Sequence, residues 1–399
     1  MFNIPTYATV FPSTSAGFLN QTGLSNIAYH NQHVEYVLKN AGKHKNGSVG
    51  ENSSSEDEFS NVVPVGFNGT TYYRTPNTFP SNTPSTISAL FLESLSKFEI
   101  HHLASISFKA TREELRNNGY PMFENGQKKV ATFKDTKYTT GKRLWIDRGE
   151  KMRRCSRCHT EFELEKNGAK NQRECVYHPK GKMFDEVRGE YVRLCCDDNS
   201  GFIDGCQMRR CHVFDQLATS ELENFVSSKK PFGKKDTRSK AIYAIDAEMV
   251  YTIDGPALAR LSVVDWDGEL VLDVLVKPPT TVIDPNTEFS GLTIDDVNSA
   301  TDTLETCRRK FLSLVNEKTI LVGHSLESDL KALRLVHNIV VDTSLLYMSN
   351  GKKVGLKKLA LDHLGIKIQS NNPEMQGHDS QEDARVALDL LKLRMAKCY

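Results

Sequence analysis

The chain lacks net charge: 51 Lys and Arg stand against 50 Asp and Glu, leaving +1 over 399 residues. No global field draws in a polyanion, so any basic surface is local. It also lacks an apolar run of membrane-spanning length. Its first residues, "MFNIPTYATVFPSTSAG", have neither the basic flank nor the apolar core of a secretory signal. The expectation is a protein without membrane partner or export, so the sequons at Asn20, Asn46, Asn52 and Asn68 reflect composition. A disulfide framework is missing too. Seven of nine cysteines fall between Cys155 and Cys211, mixed with histidines. Such clustering points to metal in a reducing compartment.

What is present divides into four parts. Residues 1–85 are rich in Ser, Thr, Asn, Gly and Pro, with an acidic cluster at Glu56, Asp57 and Glu58. Stretches such as "TPNTFPSNTPST" bury too little to order themselves, which predicts a disordered spacer or a tail that docks a protein partner. Residues 86–226 carry helical patterns and then the cysteine region. "ISALFLESLSKF" is apolar on one face. "ATREELRNNGYP" has a capping box, Thr111 with Glu114, and a stop at Gly119 and Pro121. "KVATF" reads as a strand and "DQLATSELENFV" as a helix. Residues 227–240, "SSKKPFGKKDTRSK", read as a basic linker: a solvated hinge, a nuclear-import signal or a phosphate contact.

Residues 241–399 read as one α/β domain. "AIYAIDAEMVYT", "LARLSVVDW" and "LVLDVLVKP" follow closely and predict an antiparallel meander. "TILVGH" and "NIVVDT" flank the amphipathic "SLESDLKALRLVH", a parallel crossover. Two helical segments, "LKKLALDHLG" and "SQEDARVALDLLKLRM", close the chain. A mixed sheet flanked by helices follows.

The first of these strands holds two acids, Asp246 and Glu248. Residues two apart in a strand share a face, so both carboxylates project together from a run otherwise built for burial. Folding alone would not place them there; a cation between them would. Two more acids join them. Asp329 falls in the first turns of a helix just beyond the strand "ILVGH". Asp383 falls in the first turn of the last helix, which Asp379 or Ser380 can cap, on the apolar face of Val386, Ala387 and Leu390. His378 precedes it on a loop. Hard cations of the magnesium type take oxygen ligands, and a pair of them can stabilise both the attacking and the leaving oxygen of a phosphoryl displacement. A histidine near neutrality suits the base.

"DAEMV", "GHSLESDL" and "GHDSQEDA" resemble the three motifs of the DEDD exonucleases in their histidine-containing subgroup. "VGHSLESDLKAL", "DTSLLY" and "GLKKLALDHLGIKIQ" narrow the resemblance to the Rex/GOR-type RNA exonucleases, over about residues 240–399. The resemblance implies a ribonuclease-H-like fold. It implies two magnesium or manganese ions on Asp246, Glu248, Asp329 and Asp383, with His378 as general base. The implied reaction is stepwise 3′→5′ hydrolysis of RNA to nucleoside 5′-monophosphates. One departure stands out: Ala247 occupies the place where that family usually has Cys, and its side chain is expected to pack on the opposite face. Met249 and Val250 are candidates for contact with the terminal nucleotide or for plain core. His324 contacts substrate or packs, and Asp342 reads as a helix cap.

In the cysteine region, Cys155 and Cys158 followed by Cys175 and His178 have the spacing of one tetrahedral zinc site. Cys195, Cys196, Cys206, Cys211 and His212 leave room for a second. Adjacent side chains of an extended backbone point oppositely, so Cys195 and Cys196 can serve different metals. Similar modules precede the nuclease domain in Rex/GOR-type proteins and favour Cys206 with His212, which leaves Cys211 spare. Full ligand sets make such zinc structural. The chain therefore reads as a nuclear or cytosolic exoribonuclease, with nucleus favoured. A DNA exonuclease and a degenerate RNA-binding scaffold are the alternatives.

Overall fold

The computed structural model describes residues 92–93, 95–123, 131–132, 152–164, 174–193, 195–196, 204–215, 219–369 and 377–398. The segment 1–85 lies outside them. Residues 73–399 form one compact unit.

A six-stranded mixed sheet is its centre. Strands β1 (Ile242–Thr252), β2 (Gly255–Asp265) and β3 (Leu270–Leu275) form the expected antiparallel meander. β4 (Val282–Asp284) pairs with the far end of β1. β5 (Ile320–Gly323) and β6 (Val340–Asp342) add in parallel on the other side, giving the order β3-β2-β1-β5-β6. β5 and β6 are buried throughout, as two-sided parallel strands must be.

Among the described residues, two complete α-helices precede the sheet in sequence. α1 (Lys97–Ser107) starts at a capping box of Ser96 and Glu99, and α2 (Arg112–Asn117) at the predicted box of Thr111 and Glu114. Of the apolar run before Ser96, Leu92 and Glu93 are helical, and residues 87–91 and 94 lie outside the described residues. Leu115 and Tyr120 are buried in one cluster with Ile245, Leu261 and Leu321. The core of the 241–399 region therefore extends to residues more than a hundred positions upstream. Tyr120 Oη donates to Asp342 Oδ2 at 2.6 Å. The other Asp342 oxygen accepts the amides of Ser325 and Ser344, so Asp342 is the helix cap the sequence suggested.

Residues 227–240 are a strap rather than a free hinge. Val226 and Ser227 pair with Leu335 and Val336, and Ser228 meets His337 Nδ1 at 2.9 Å. Arg238 forks onto Asp236, reaches the Leu312 carbonyl, and its own carbonyl accepts from Thr319. Most of its side chains are exposed, as the charge content suggested, while these contacts hold the backbone at both ends. "DQLATSELENFV" contributes a 3₁₀ turn, Thr219–Asn224, in place of an α-helix.

Three further helices complete the frame that carries the acids: α3 (Leu304–Leu314), α4 (Glu327–Ala332) and α5 (Ser380–Cys398). α5 lies against β1 and β2.

Replacing Tyr120 with Phe removes a hydrogen bond to a buried carboxylate, worth about 1.5–3 kcal/mol. The urea midpoint of Tyr120→Phe is expected to fall accordingly; an unchanged midpoint would show that the upstream segment does not stabilise the sheet.

Candidate active site

Asp246 and Glu248 project from one face of β1, while Ile245 and Ala247 enter the main core on the other. Ala247 thus packs as the strand period requires. Asp329 stands buried in the first turn of α4. Asp383 stands in the first turn of α5, whose N-terminus is capped by Asp379 accepting the Gln381 amide at 3.0 Å.

A buried network fixes α5 against the sheet. Ser262 lies opposite Asp246 in the register. Its hydroxyl donates to Asp273 Oδ1 at 3.1 Å and therefore accepts from Ser380 Oγ at 2.7 Å. Asp273 also takes a two-point contact from Arg260 and one from Gln381. Arg260, in turn, lies opposite Glu248. The same few residues seat the last helix and place a positive charge beside the acids. No motif announced Arg260, Ser262 or Asp273, although the register of an antiparallel β2–β3 pair discloses Arg260 with Asp273; Ser380, a candidate cap, instead bonds Ser262.

Glu248, Asp329 and Asp383 are each no more than 6% exposed. Burial, then Asp329 and Glu248, raises Asp246 well above the usual carboxylate range. Burial, then Asp383, takes Glu248 to about 9; burial takes Asp329 to about 8 and Asp383 to about 7. Glu248 Oε1 and Asp383 Oδ1 are buried with no hydrogen-bond partner. The other Asp383 oxygen accepts from Gln369 Nε2 at 2.7 Å, a contact that no motif spacing announced. Unpartnered hard oxygens on mutually repelling acids fit a magnesium-type cation, which supplies the missing partner and neutralises the set.

His378 Nδ1 lies 3.6 Å from Asp383 Oδ2. Burial and the Lys357 charge lower its pKa, leaving it neutral at pH 7. Its backbone N–H donates to the Phe289 carbonyl at 2.9 Å, and its ring meets the edge of Phe289. Gly377 sets this loop at φ 103; a Cβ there would lie 2.3 Å from Gly291 N, so only glycine fits.

The three remaining candidates divide. Val250 is 1% exposed and packs with Ala259, Leu292 and Val297, so the structure places it in a core. Met249 is partly buried against the main core, just past a register shift in β1. His324 Nδ1 meets Thr343 Oγ1 at 2.9 Å, with burial taking its pKa to about 4.

The Cys/His region pairs differently from the expectation. Two sets of ligand atoms lie within 4.8 Å of one another: Cys155, Cys158, Cys175 with His212, and His178, Cys195, Cys196 with Cys206. Among the described residues these are the sets so tight; the carboxylates are looser. The sequence-based grouping of Cys175 with His178 fails for a simple reason. Cys175–Tyr177 is a strand, and residues three apart in an extended chain face opposite ways. Cys155 and Cys158, by contrast, sit on a turn and converge. Cys195 and Cys196 also sit in a bend and share one set. Cys206 and His212 separate, and Cys211 belongs to neither. Cys158 Sγ lies 3.2 Å from His212 Nδ1, and Cys196 Sγ 3.5 Å from His178 Nδ1. Thiolate-rich sets of four suit tetrahedral zinc. Cys155 already leans to thiolate, drawn to about 4 by hydrogen bonding from Cys175.

Raised carboxylate values have a sign. Stability from these groups is full below about pH 4, where free and folded carboxyls are both protonated, and is lost as pH rises through the folded values of about 7 to 9. The melting temperature of magnesium-free protein is expected to drop between pH 6 and 9 (roughly the range of those values), less steeply in Asp329→Asn, and to recover with magnesium. A flat profile in all three conditions would refute it.

No protein-family model matches the chain. Curated relatives do. The chain is 47% identical over 302 residues to the putative RNA exonuclease pqe-1 of Caenorhabditis elegans, covering 74% of this chain and 18% of that protein. It is 37% identical over 295 residues to the human putative exonuclease GOR, covering 71% and 41%. It is also 37% identical over 287 residues to the human RNA exonuclease 1 homolog, covering 70% and 22%. The matched region thus spans less than half of each of these three relatives. Among solved structures, the catalytic unit of Neurospora crassa Pan2 aligns at a TM-score of 0.37 and 28% identity over 42% of this chain and 29% of that one. By its similarity to proteins of these names, the chain belongs to the Rex/GOR-type RNA exonuclease family.

Proposed function

We propose that the protein is a metal-dependent 3′→5′ exoribonuclease that releases nucleoside 5′-monophosphates. The observation that carries this reading is the pair of buried, unpartnered oxygens, Glu248 Oε1 and Asp383 Oδ1, within four mutually perturbed acids beside a neutral histidine. Asp246, Glu248, Asp329 and Asp383 would hold two magnesium or manganese ions. Such ions supply positive charge at the attacking and leaving oxygens of a phosphodiester. His378, neutral at pH 7, accepts the proton of the attacking water. Gln369 holds Asp383 in place, and Arg260 moderates the charge at Glu248. RNA is the preferred substrate because the relatives are named for it; a matched DNA strand tests the alternative. The two Cys/His sets would hold structural zinc, since four protein ligands leave no open position. The reading extends to a nuclear site of action and to a protein partner for residues 1–85.

With 5′-labelled single-stranded RNA and magnesium, purified protein is expected to give a ladder shortening from the 3′ end. His378→Ala should slow it by about 10²–10⁴-fold, and Asp246→Ala should abolish it while RNA binding persists. Binding without any shortening by the unmodified protein would instead favour a scaffold. Metal analysis should find two zinc ions per chain, one for each set of ligands. Cys158→Ser and Cys196→Ser should each lose one. A wild-type protein that carries none would overturn the zinc assignment.

A further inference from the structure

The residue inside the first Cys/His turn, Arg157, points out of its own module. Its side chain is 12% exposed, and Nη1 donates to Asp284 Oδ2 at 2.7 Å. Nη2 reaches Asn286 Oδ1 at 3.4 Å. The guanidinium lies over the rings of Tyr177, in the module, and Tyr251, three residues beyond Glu248 on β1; each centroid is 5.4 Å away. A planar fork that lies over two rings and binds a half-buried carboxylate is a fixed contact, which a lysine point charge would not reproduce.

What Arg157 holds leads to the histidine loop. Asn286 begins the short helix Thr287–Ser290 in a left-handed conformation, φ 56, and its side chain makes no cap to that helix. The side chain is therefore committed to Arg157. The Asn286 carbonyl accepts the amides of Phe289 and Ser290 at 2.8 and 2.9 Å. Phe289, in turn, accepts the His378 amide and presents its ring to the imidazole. Gly377 packs without a side chain against Thr287 and Gly291. From the turn of the first metal set to His378 there is thus an unbroken series of contacts through residues 284–291.

We propose that Arg157 is a positioning residue for His378: through Asp284 and Asn286 it fixes the 284–291 segment on which the histidine loop rests. The inference builds on the reading of His378 as the base. A consequence is that the Cys/His module contributes to turnover, and not only to folding. In a proton transfer, a base displaced by about 1 Å loses on the order of 10²-fold in rate, while affinity for RNA held elsewhere stays the same.

The test uses the full chain with its zinc. Arg157→Ala, Arg157→Lys and Asn286→Gly are compared by zinc content, steady-state kinetics on RNA, and amide hydrogen exchange at residues 377–379. Asn286→Gly leaves the metal turn untouched, and glycine accepts its φ. Expected is several-fold faster exchange of the His378 amide in Arg157→Ala and Asn286→Gly, with zinc retained. kcat should fall with KM unchanged, and Arg157→Lys should lie between. A KM effect with kcat intact would make Arg157 an RNA contact and overturn the proposal, as would unaltered exchange in Asn286→Gly. Loss of zinc in Arg157→Ala passes the decision to Asn286→Gly. If unmodified protein does not cut RNA, the nuclease reading fails, yet the exchange result still decides the brace.

Discussion

Repulsion between buried carboxylates is the constraint around which the structure is arranged. Four acids from β1, α4 and α5 face a common space with two oxygens that no protein group satisfies. In the absence of a cation every other contact in the region works against that repulsion. The Ser262–Ser380 pair, the Arg260 fork on Asp273 and the Gln369 amide are where the opposing work is concentrated. The first and last tie α5, which carries Asp383, to segments that carry none of the four acids, and the fork joins β2 to β3 beside Glu248. Preorganisation of this kind spares reorganisation at the moment of reaction.

The sequence disclosed most of what obeys a local period. Strand parity placed Asp246 with Glu248 and turned Ala247 away; helix position placed Asp329 and Asp383. Capping chemistry located α2, and the apolar runs located β5 and β6. What escaped depends on contacts between distant segments. Tyr120 packs into the core of the sheet and bonds to Asp342, which no pattern around residue 120 signals. The basic strap is held by backbone pairing to Leu335 and Val336, to which charge is blind. The Cys/His pairing escaped for the opposite reason. Spacing alone suggested that Cys175 and His178 converge, and the strand between them forbids it.

Two kinds of ligand set stand side by side in this unit. Soft thiolates, gathered within a few ångströms, suit a closed site whose work is done once the chain is folded. Hard carboxylates, looser and short of partners, suit ions that must leave positions open for water and phosphate. Arg157 and Tyr251 lie where the two regions touch, so the closed sites bear directly on the strand that carries the open one.

The Cys/His ligands are nested rather than sequential. His178, Cys195, Cys196 and Cys206 all fall inside the loop that Cys175 and His212 must close. Once the inner set is gathered, the outer loop is effectively several times shorter, and its closure costs about 1 kcal/mol less. During synthesis the inner ligands also leave the ribosome before His212 does. Both entropy and the direction of translation therefore favour one order of assembly, inner set first. On this reasoning the set that includes the Arg157 turn, which needs His212, is the one completed last.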